Sequence, residues 1–254
     1  MSEKLKVDYA LKSDIGTRDE QQDSIGVVLN GSYFAAAVCD GMGGLNGGAA
    51  ASKLAADVFG DMVLDNIKTG EKSATELLVS CVDAMDEQVF NLRDGDGVRL
   101  DAGTTVVSVI IDDGNLYWMS VGDSRLYMLR GDEFVQATRD HNYFLSLSEM
   151  PDDYIPSEED VAKGDALISF IGMGGVDILD VSNNPVKLYE NDCILITSDG
   201  LFKPLSDVRI AEILKSSDDL KYISRKLIEE CEKSSPDVRD NISFVLIKMR
   251  RDEE

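Results

Sequence analysis

From Thr104 onwards the sequence breaks into short runs, TTVVSVIID, LYWMSVGD, SRLYMLR and EFVQAT, joined by turns such as DDGN and Gly131-Asp132. Runs this rich in Val, Ile, Thr and Tyr, with so few residues between them, can pair only as antiparallel hairpins, because a parallel crossover needs a dozen or more connecting residues. Similar apolar runs are predicted as strands at residues 6–12, 25–29, 33–40 (YFAAAVCD), 166–172 (ALISFIG), 178–182 (ILDVS), 192–200 (DCILITSDG) and 241–249 (NISFVLIKM). Between them lie helical patterns. One runs from about Gly48 to Asn66, with Leu54, Val58 and Met62 recurring beside Ala55, Phe59 and Val63. A second starts at Ser73, where S-A-T-E reads as a capping box closed by Glu76, and turns Leu77, Leu78, Cys81, Val82, Met85 and Val89 inward. Two more cover about 206–215 and 218–233. Strand blocks interleaved with helix pairs, without regular alternation, predict an α+β fold. Two antiparallel sheets should pack as a sandwich with helix pairs on the outer faces, in the order α-β-β-α.

The chain has 254 residues and no Pro-rich or Ser/Gly-rich linker, so a single domain spanning 1–254 is expected. Residues 145–166 interrupt the pattern with two of the five prolines and many acids, and are expected to form a mobile flap or a small inserted element. The sequence opens MSEKLKVDYALKSD, without a basic apolar leader, and contains no run of about 18 apolar residues. A soluble, cytoplasmic protein is the expectation. With 25 basic against 48 acidic residues, the formal charge of -23 would repel nucleic acid and an anionic membrane surface alike. Cys39, Cys81, Cys193 and Cys231 lack C-x-x-C spacing and lie in apolar patterns, which suits buried free thiols.

The stretch AVCDGMGGLNGGAAAS carries the strongest chemical signal. Its apolar run leads into Asp40, and Gly41, Gly43 and Gly44 are expected to turn the chain there, leaving the Asp40 carboxylate and the Gly41 carbonyl open to a ligand. That would be half of a metal site, although an aspartate in such a place can also simply cap the following helix. Asp23 in EQQDS, Asp123 in SVGDSR, Asp199 in ITSDGL and Asp240 in VRDNIS share the same setting. Two divalent ions about 4 Å apart repel by roughly 17 kcal/mol at an effective dielectric near 20, so a two-metal site needs several converging carboxylates. Zinc is poorly served, since His141 is the only histidine and the cysteines are unspaced. Oxygen ligands point to Mg²⁺ or Mn²⁺. EF-hand, Walker and nucleophile-elbow motifs are absent.

The segments GTRDEQQDS, CDGMGG, AGTTVV, VGDSRLYML, ATRDHN, ITSDGLF and RDNISFVLI together resemble, in number and order, the metal-dependent serine/threonine protein phosphatases of type 2C, in particular their bacterial members. The resemblance implies hydrolysis of phosphoserine and phosphothreonine by a hydroxide bridging two Mn²⁺ or Mg²⁺ ions. It implies that Asp40 serves both metals, that Gly41 ligates through its carbonyl oxygen, that Asp199 and Asp240 complete one metal's shell, and that Asp23 acts mostly through water. Asp123 would hold, with Asp199, a weaker third metal, and Arg18 would bind phosphate. The sequence departs from the family in places. Gln21 stands where many bacterial members have Asn, and ISFIGMGG lacks an arginine usual there. Met42 occupies a position where many eukaryotic members carry a proton-donating histidine, and His141 in RDHN is expected to pack rather than catalyse. The expected partners are phosphoproteins made by a Ser/Thr kinase, met by a monomeric enzyme. A small-molecule phosphomonoesterase and a non-catalytic phosphoprotein-binding relative are the competing readings. Glu149, Asp152, Asp153, Glu158, Glu159 and Asp160 crowd the flap; the resemblance implies that the flap borders the active site, where these acids should favour phosphopeptides with Lys or Arg near the phosphoresidue.

Overall fold

The computed structural model describes residues 5–44, 47–151 and 153–252. Strands β1 (Leu5–Asp14), β2 (Asp23–Asn30) and β3 (Tyr33–Gly43) lead into helices α1 (Gly47–Thr69) and α2 (Ala74–Phe90). The predicted hairpins follow as β4 (Ala102–Thr104), β5 (Val106–Asp112), β6 (Asn115–Val121), β7 (Arg125–Arg130) and β8 (Glu133–Gln136). Two short helices, α3 (Tyr143–Ser148) and α4 (Glu158–Ala162), occupy the flap segment. After them come β9 (Asp180–Val181), β10 (Val186–Lys187), β11 (Cys193–Thr197), α5 (Asp199–Phe202), α6 (Asp207–Lys215), α7 (Leu220–Ser234) and β12 (Ile242–Arg251).

Among the described residues the strands form two antiparallel sheets. One runs β1-β12-β11-β7-β8; the other runs β10-β6-β5-β3-β2, with β4 added to β3 and β9 to β6. Side chains alternate across β3, so Phe34, Ala36 and Val38, with Val109 of the neighbouring β5, face the β1-β12-β11-β7-β8 sheet and pack on its Ile194, Ile196 and Val245. Ala35, Ala37 and Cys39 point the other way, against Ala55, Phe59, Cys81 and Met85 of α1 and α2. Burial on both faces explains why YFAAAVC reads as a continuous apolar run. On the opposite side, Leu195, Phe244 and Leu246 pack on Ile210 and Ile213 of α6 and on Leu227 and Cys231 of α7. The layers are α-β-β-α, and all four cysteines are buried and free.

Small residues let α1 lie close on its sheet. A Cβ on Gly26 would stand 2.9 Å from the Ala56 carbonyl oxygen. The Ser73 capping box forms as read, with the Ser73 amide donating to Glu76 Oε2 at 2.9 Å. One expected strand is missing. ALISFIG meets its neighbours only at the single bridges Asn142↔Leu167 and Thr104↔Ile171. Its backbone turns away at Gly172, Gly174 and Gly175, all at positive φ, and the Gly172 and Gly174 amides donate to Asp86 Oδ1 on α2 at 2.7 and 3.3 Å. The buried Asp86 carboxylate there takes the Gly172 amide, the last of the run, which a sheet partner would have used. ILDVS contributes just the two residues of β9.

Candidate metal centre

Asp40 does not end its strand. β3 continues through Gly41 and Met42 to Gly43 and changes partner on the way, with Phe34–Val38 paired to β5 and Gly41–Gly43 to β4. At the changeover, two threonines hold Asp40 by its backbone. The Thr105 amide and the Thr104 hydroxyl both donate to the Asp40 carbonyl oxygen at 2.9 Å, and the Asp40 amide donates to Thr105 Oγ1 at 3.1 Å. Gly41 is needed for close approach rather than for a turn. A Cβ there would lie 2.1 Å from the Gly48 carbonyl oxygen and 2.6 Å from that of Gln22, while among Gly41, Gly43 and Gly44 only Gly43 has a positive φ.

Four other segments bring the remaining acids to the same end of the sandwich. Asp23 opens β2 directly opposite Asp40 in register. Its Oδ2 accepts from the Ser198 hydroxyl at 2.7 Å, whereas its Oδ1 is buried with no protein partner. Ser198 is the N-cap residue of α5, and Asp199 is that helix's first residue. Asp199 Oδ2 accepts from the Lys203 ammonium, and its Oδ1 is likewise buried and unpartnered. Asp240 precedes β12 and accepts from Arg18 Nη2 at 2.7 Å. The Arg18 loop is held beside it by Asn241, whose Nδ2 donates to the carbonyls of Ile15 and Glu20 at 2.9 and 3.1 Å and whose Oδ1 accepts from the Gln22 amide at 2.7 Å. Asp123, 7% exposed, sits in the turn between β6 and β7 after Gly122.

These acids act on one another. Burial, and then the charges of Asp23, Asp199, Asp123 and Asp240, push the Asp40 carboxyl well above the ordinary carboxylate range. Asp23 is pushed up to about 7 by burial, against the pull of hydrogen bonds from Ser198 and Ser243, with Asp199 and Asp240 adding to the rise. Asp123 also rises to about 7, through burial and then Asp199, while Lys203 pulls it back. Such a group of carboxylates cannot all ionise without added positive charge.

The residues fit a pair of divalent cations. The donors are oxygens, they are mostly buried, and two of those oxygens lack any protein partner. Among the described residues no three acidic, histidine or cysteine side chains close on one point, for Asp240 is turned to Arg18 and Asp199 to Lys203. His141 stands apart from the acids in function. It is fully buried, its Nδ1 accepts from the Gly122 amide at 3.1 Å, and its own amide donates back to the Gly122 carbonyl at 3.0 Å. Burial holds the imidazole below its usual pKa, with attraction to Asp180 offsetting only part of that. The ring braces the turn that carries Asp123. Thr104, Thr105, Ser198, Asn241 and Lys203 were not legible as site residues in the sequence. The first four lie inside the motifs, yet neutral side chains that hold backbone leave no charge pattern to read.

Comparison with known proteins follows the same lines. The model of the protein phosphatase 2C family matches residues 12–238, ending just short of Asp240. A putative protein phosphatase of Mycoplasma pneumoniae is 31% identical over 245 residues, covering 92% of each chain. Protein phosphatase PhpP of Streptococcus pneumoniae is 25% identical over 249 residues, covering 97% of this chain and 99% of its own. Among solved structures, the Mycobacterium tuberculosis serine/threonine phosphatase PstP/Ppp superposes with a TM-score of 0.80 at 25% identity, covering 96% of this chain and 99% of that one. The PstP catalytic domain in complex with 2 manganese ions gives a TM-score of 0.71 at 25% identity, covering 97% and 99%.

Proposed function

This chain belongs to the protein phosphatase 2C family, and from that premise we propose that Asp40, Asp199 and Asp240, with the Gly41 carbonyl oxygen, hold a pair of divalent cations. In this reading Asp40 serves both ions, Asp23 acts through bound water, and Arg18 takes the phosphoryl group. The chain is a protein-serine/threonine phosphatase of the bacterial type, and its substrates are phosphoproteins. The observation that carries the ligand assignment is the mutual repulsion at Asp40, where burial and four neighbouring carboxylates oppose ionisation until cations arrive. Oxygen-only donors suit Mn²⁺ and Mg²⁺, and the PstP catalytic domain holds manganese.

When bound, the cations supply a water that loses its proton near neutral pH and offset charge on the phosphoryl oxygens. The chain's own residues set the geometry around that chemistry. Thr104 and Thr105 fix the Asp40 backbone, and the absence of a side chain on Gly41 lets the Gly48 and Gln22 backbones close on it. Arg18 uses Nη2 on Asp240 and is more than half exposed, so its remaining donors can fork onto two phosphoryl oxygens. Met42 offers no proton and His141 is fully buried, so neither residue supplies the proton taken up by the departing seryl or threonyl oxygen. We place the enzyme opposite a serine/threonine kinase, as a monomer whose charge of -23 disfavours nucleic acid.

Hydrolysis of an aryl phosphate and of a phosphopeptide should cease in chelator and return with Mn²⁺ or Mg²⁺. Full turnover by metal-stripped protein would overturn the ligand assignment and the mechanism with it.

A further inference from the structure

Asp199, which by the resemblance would share a weak third metal with Asp123, is already paired with a cation. Lys203 follows Asp199 by one helical turn, and its ammonium donates to Asp199 Oδ2. Asp123, from the β6–β7 turn, and Asp165, at the end of the flap segment, lie within electrostatic reach of the same ammonium. One acid thus pairs with the lysine, and two more from separate parts of the fold add their attraction to it. Its side chain is half exposed, but the short helix that carries it is anchored by the residue before it. The Phe202 ring, next in the chain, packs under the Arg125 guanidinium at 3.7 Å, and Arg125 is itself gripped by Asp140 through two hydrogen bonds of 2.9 and 2.6 Å. A lysine ammonium is a compact point charge with three donors, suited to stand among carboxylates where a small hydrated cation would otherwise go.

We infer that Lys203 is the resident third cation of this phosphatase, neutralising Asp199 and Asp123 from within the chain and leaving room for two metal ions and not three. The inference rests on the reading of Asp40, Asp199 and Asp240 as ligands of the core pair. A divalent ion entering between Asp199 and Asp123 would have to displace the ammonium from Asp199 Oδ2 or stand beside it against like-charge repulsion. Lys203 therefore acts as a positioning residue. It orients one Asp199 oxygen and leaves the buried, unpartnered Oδ1 for the core metals.

Counting bound Mn²⁺ in the intact protein tests this, with free Mn²⁺ read from its electron paramagnetic resonance signal across a titration into the millimolar range. Wild type and Lys203→Arg should each bind about two ions per chain, and Lys203→Ala should bind about three, the added one more weakly than the others. Adding Asp123→Asn to Lys203→Ala should return the count to about two. Three ions on wild type, a count that needs no variant to fold, would overturn the inference. So would two ions on a folded Lys203→Ala, judged by unchanged circular dichroism. If wild type bound none, the assignment of the core ligands would fall and take this inference with it.

Discussion

Asp23 shows most clearly what a single residue contributes to this site. Its carboxyl has an ordinary value of 3.8 and rises to about 7 in the fold, chiefly through burial. Without metal, the folded chain then holds a proton that the unfolded chain has lost, so stability falls as pH climbs from about 4 through about 7. Asp23→Asn, which cannot ionise but can still accept from Ser198, should relieve this. In chelator, its advantage over wild type in urea unfolding should be near nil at pH 4 and reach the order of a few kcal/mol by pH 8. Saturating Mn²⁺ should erase it by giving the carboxylate a cation, and an advantage independent of pH would show that burial of charge is not the cause. At this scale the sequence made the acidic members legible. Asp23, Asp40, Asp123, Asp199 and Asp240 stood out because acids beside Gly, Asn or Ser at strand ends are costly to gather. It misjudged Gly41, read as a turn and found in a strand, because close approach by Gly48 and Gln22 is a tertiary fact that no local pattern carries.

Elements position those residues, and the flap segment shows how charge there divides into two kinds. Asp160 accepts from the Ser157 amide and hydroxyl and from the Tyr143 and Tyr154 hydroxyls, at 2.7 to 2.9 Å, which makes it the cap that holds α3 and α4 together. Those bonds hold its carboxyl far below the usual range. Glu159 is paired with Lys163 at 2.6 Å. Asp152 lies outside the described residues. Among the described residues that leaves Glu149, Asp153 and Glu158 as exposed charge, so the expected selectivity should rest on these three more than on Asp160 and Glu159. Replacing these three by Gln, Asn and Gln should reduce the preference for phosphopeptides with Lys or Arg near the phosphoresidue, and should flatten its salt dependence. Relative rates that stay the same on basic and acidic peptides would mean the flap charge is merely solvated. Hairpins and long helices were legible from period and turn chemistry. The four-residue α5 and the failed strand ALISFIG were not, since one is shorter than any periodic window and the other is turned aside at Gly172, whose amide goes to Asp86.

At the scale of the molecule, the two sheets gather into one small volume acids that are far apart in sequence. β2, β3 and β12 deliver Asp23, Asp40 and Asp240 to one end of the sandwich, and the β6–β7 turn and α5 bring Asp123 and Asp199 there from the other chain segments. The layered architecture was readable because two-sided burial leaves continuous apolar runs and hairpins leave short turns. The pinning of the Arg18 loop to Asn241 was not, since its partners lie more than two hundred residues apart. The ligand assignment is tested most directly by phosphopeptide turnover measured against Mn²⁺ concentration for wild type, Asp40→Asn and Asp240→Asn. Asp40 serves both ions, so Asp40→Asn should stay at background at every concentration. Asp240 serves one and keeps an oxygen as Asn, so Asp240→Asn should be partly recovered at millimolar Mn²⁺ by mass action. Recovery of Asp40→Asn as readily as Asp240→Asn would contradict the assignment of Asp40 to both ions.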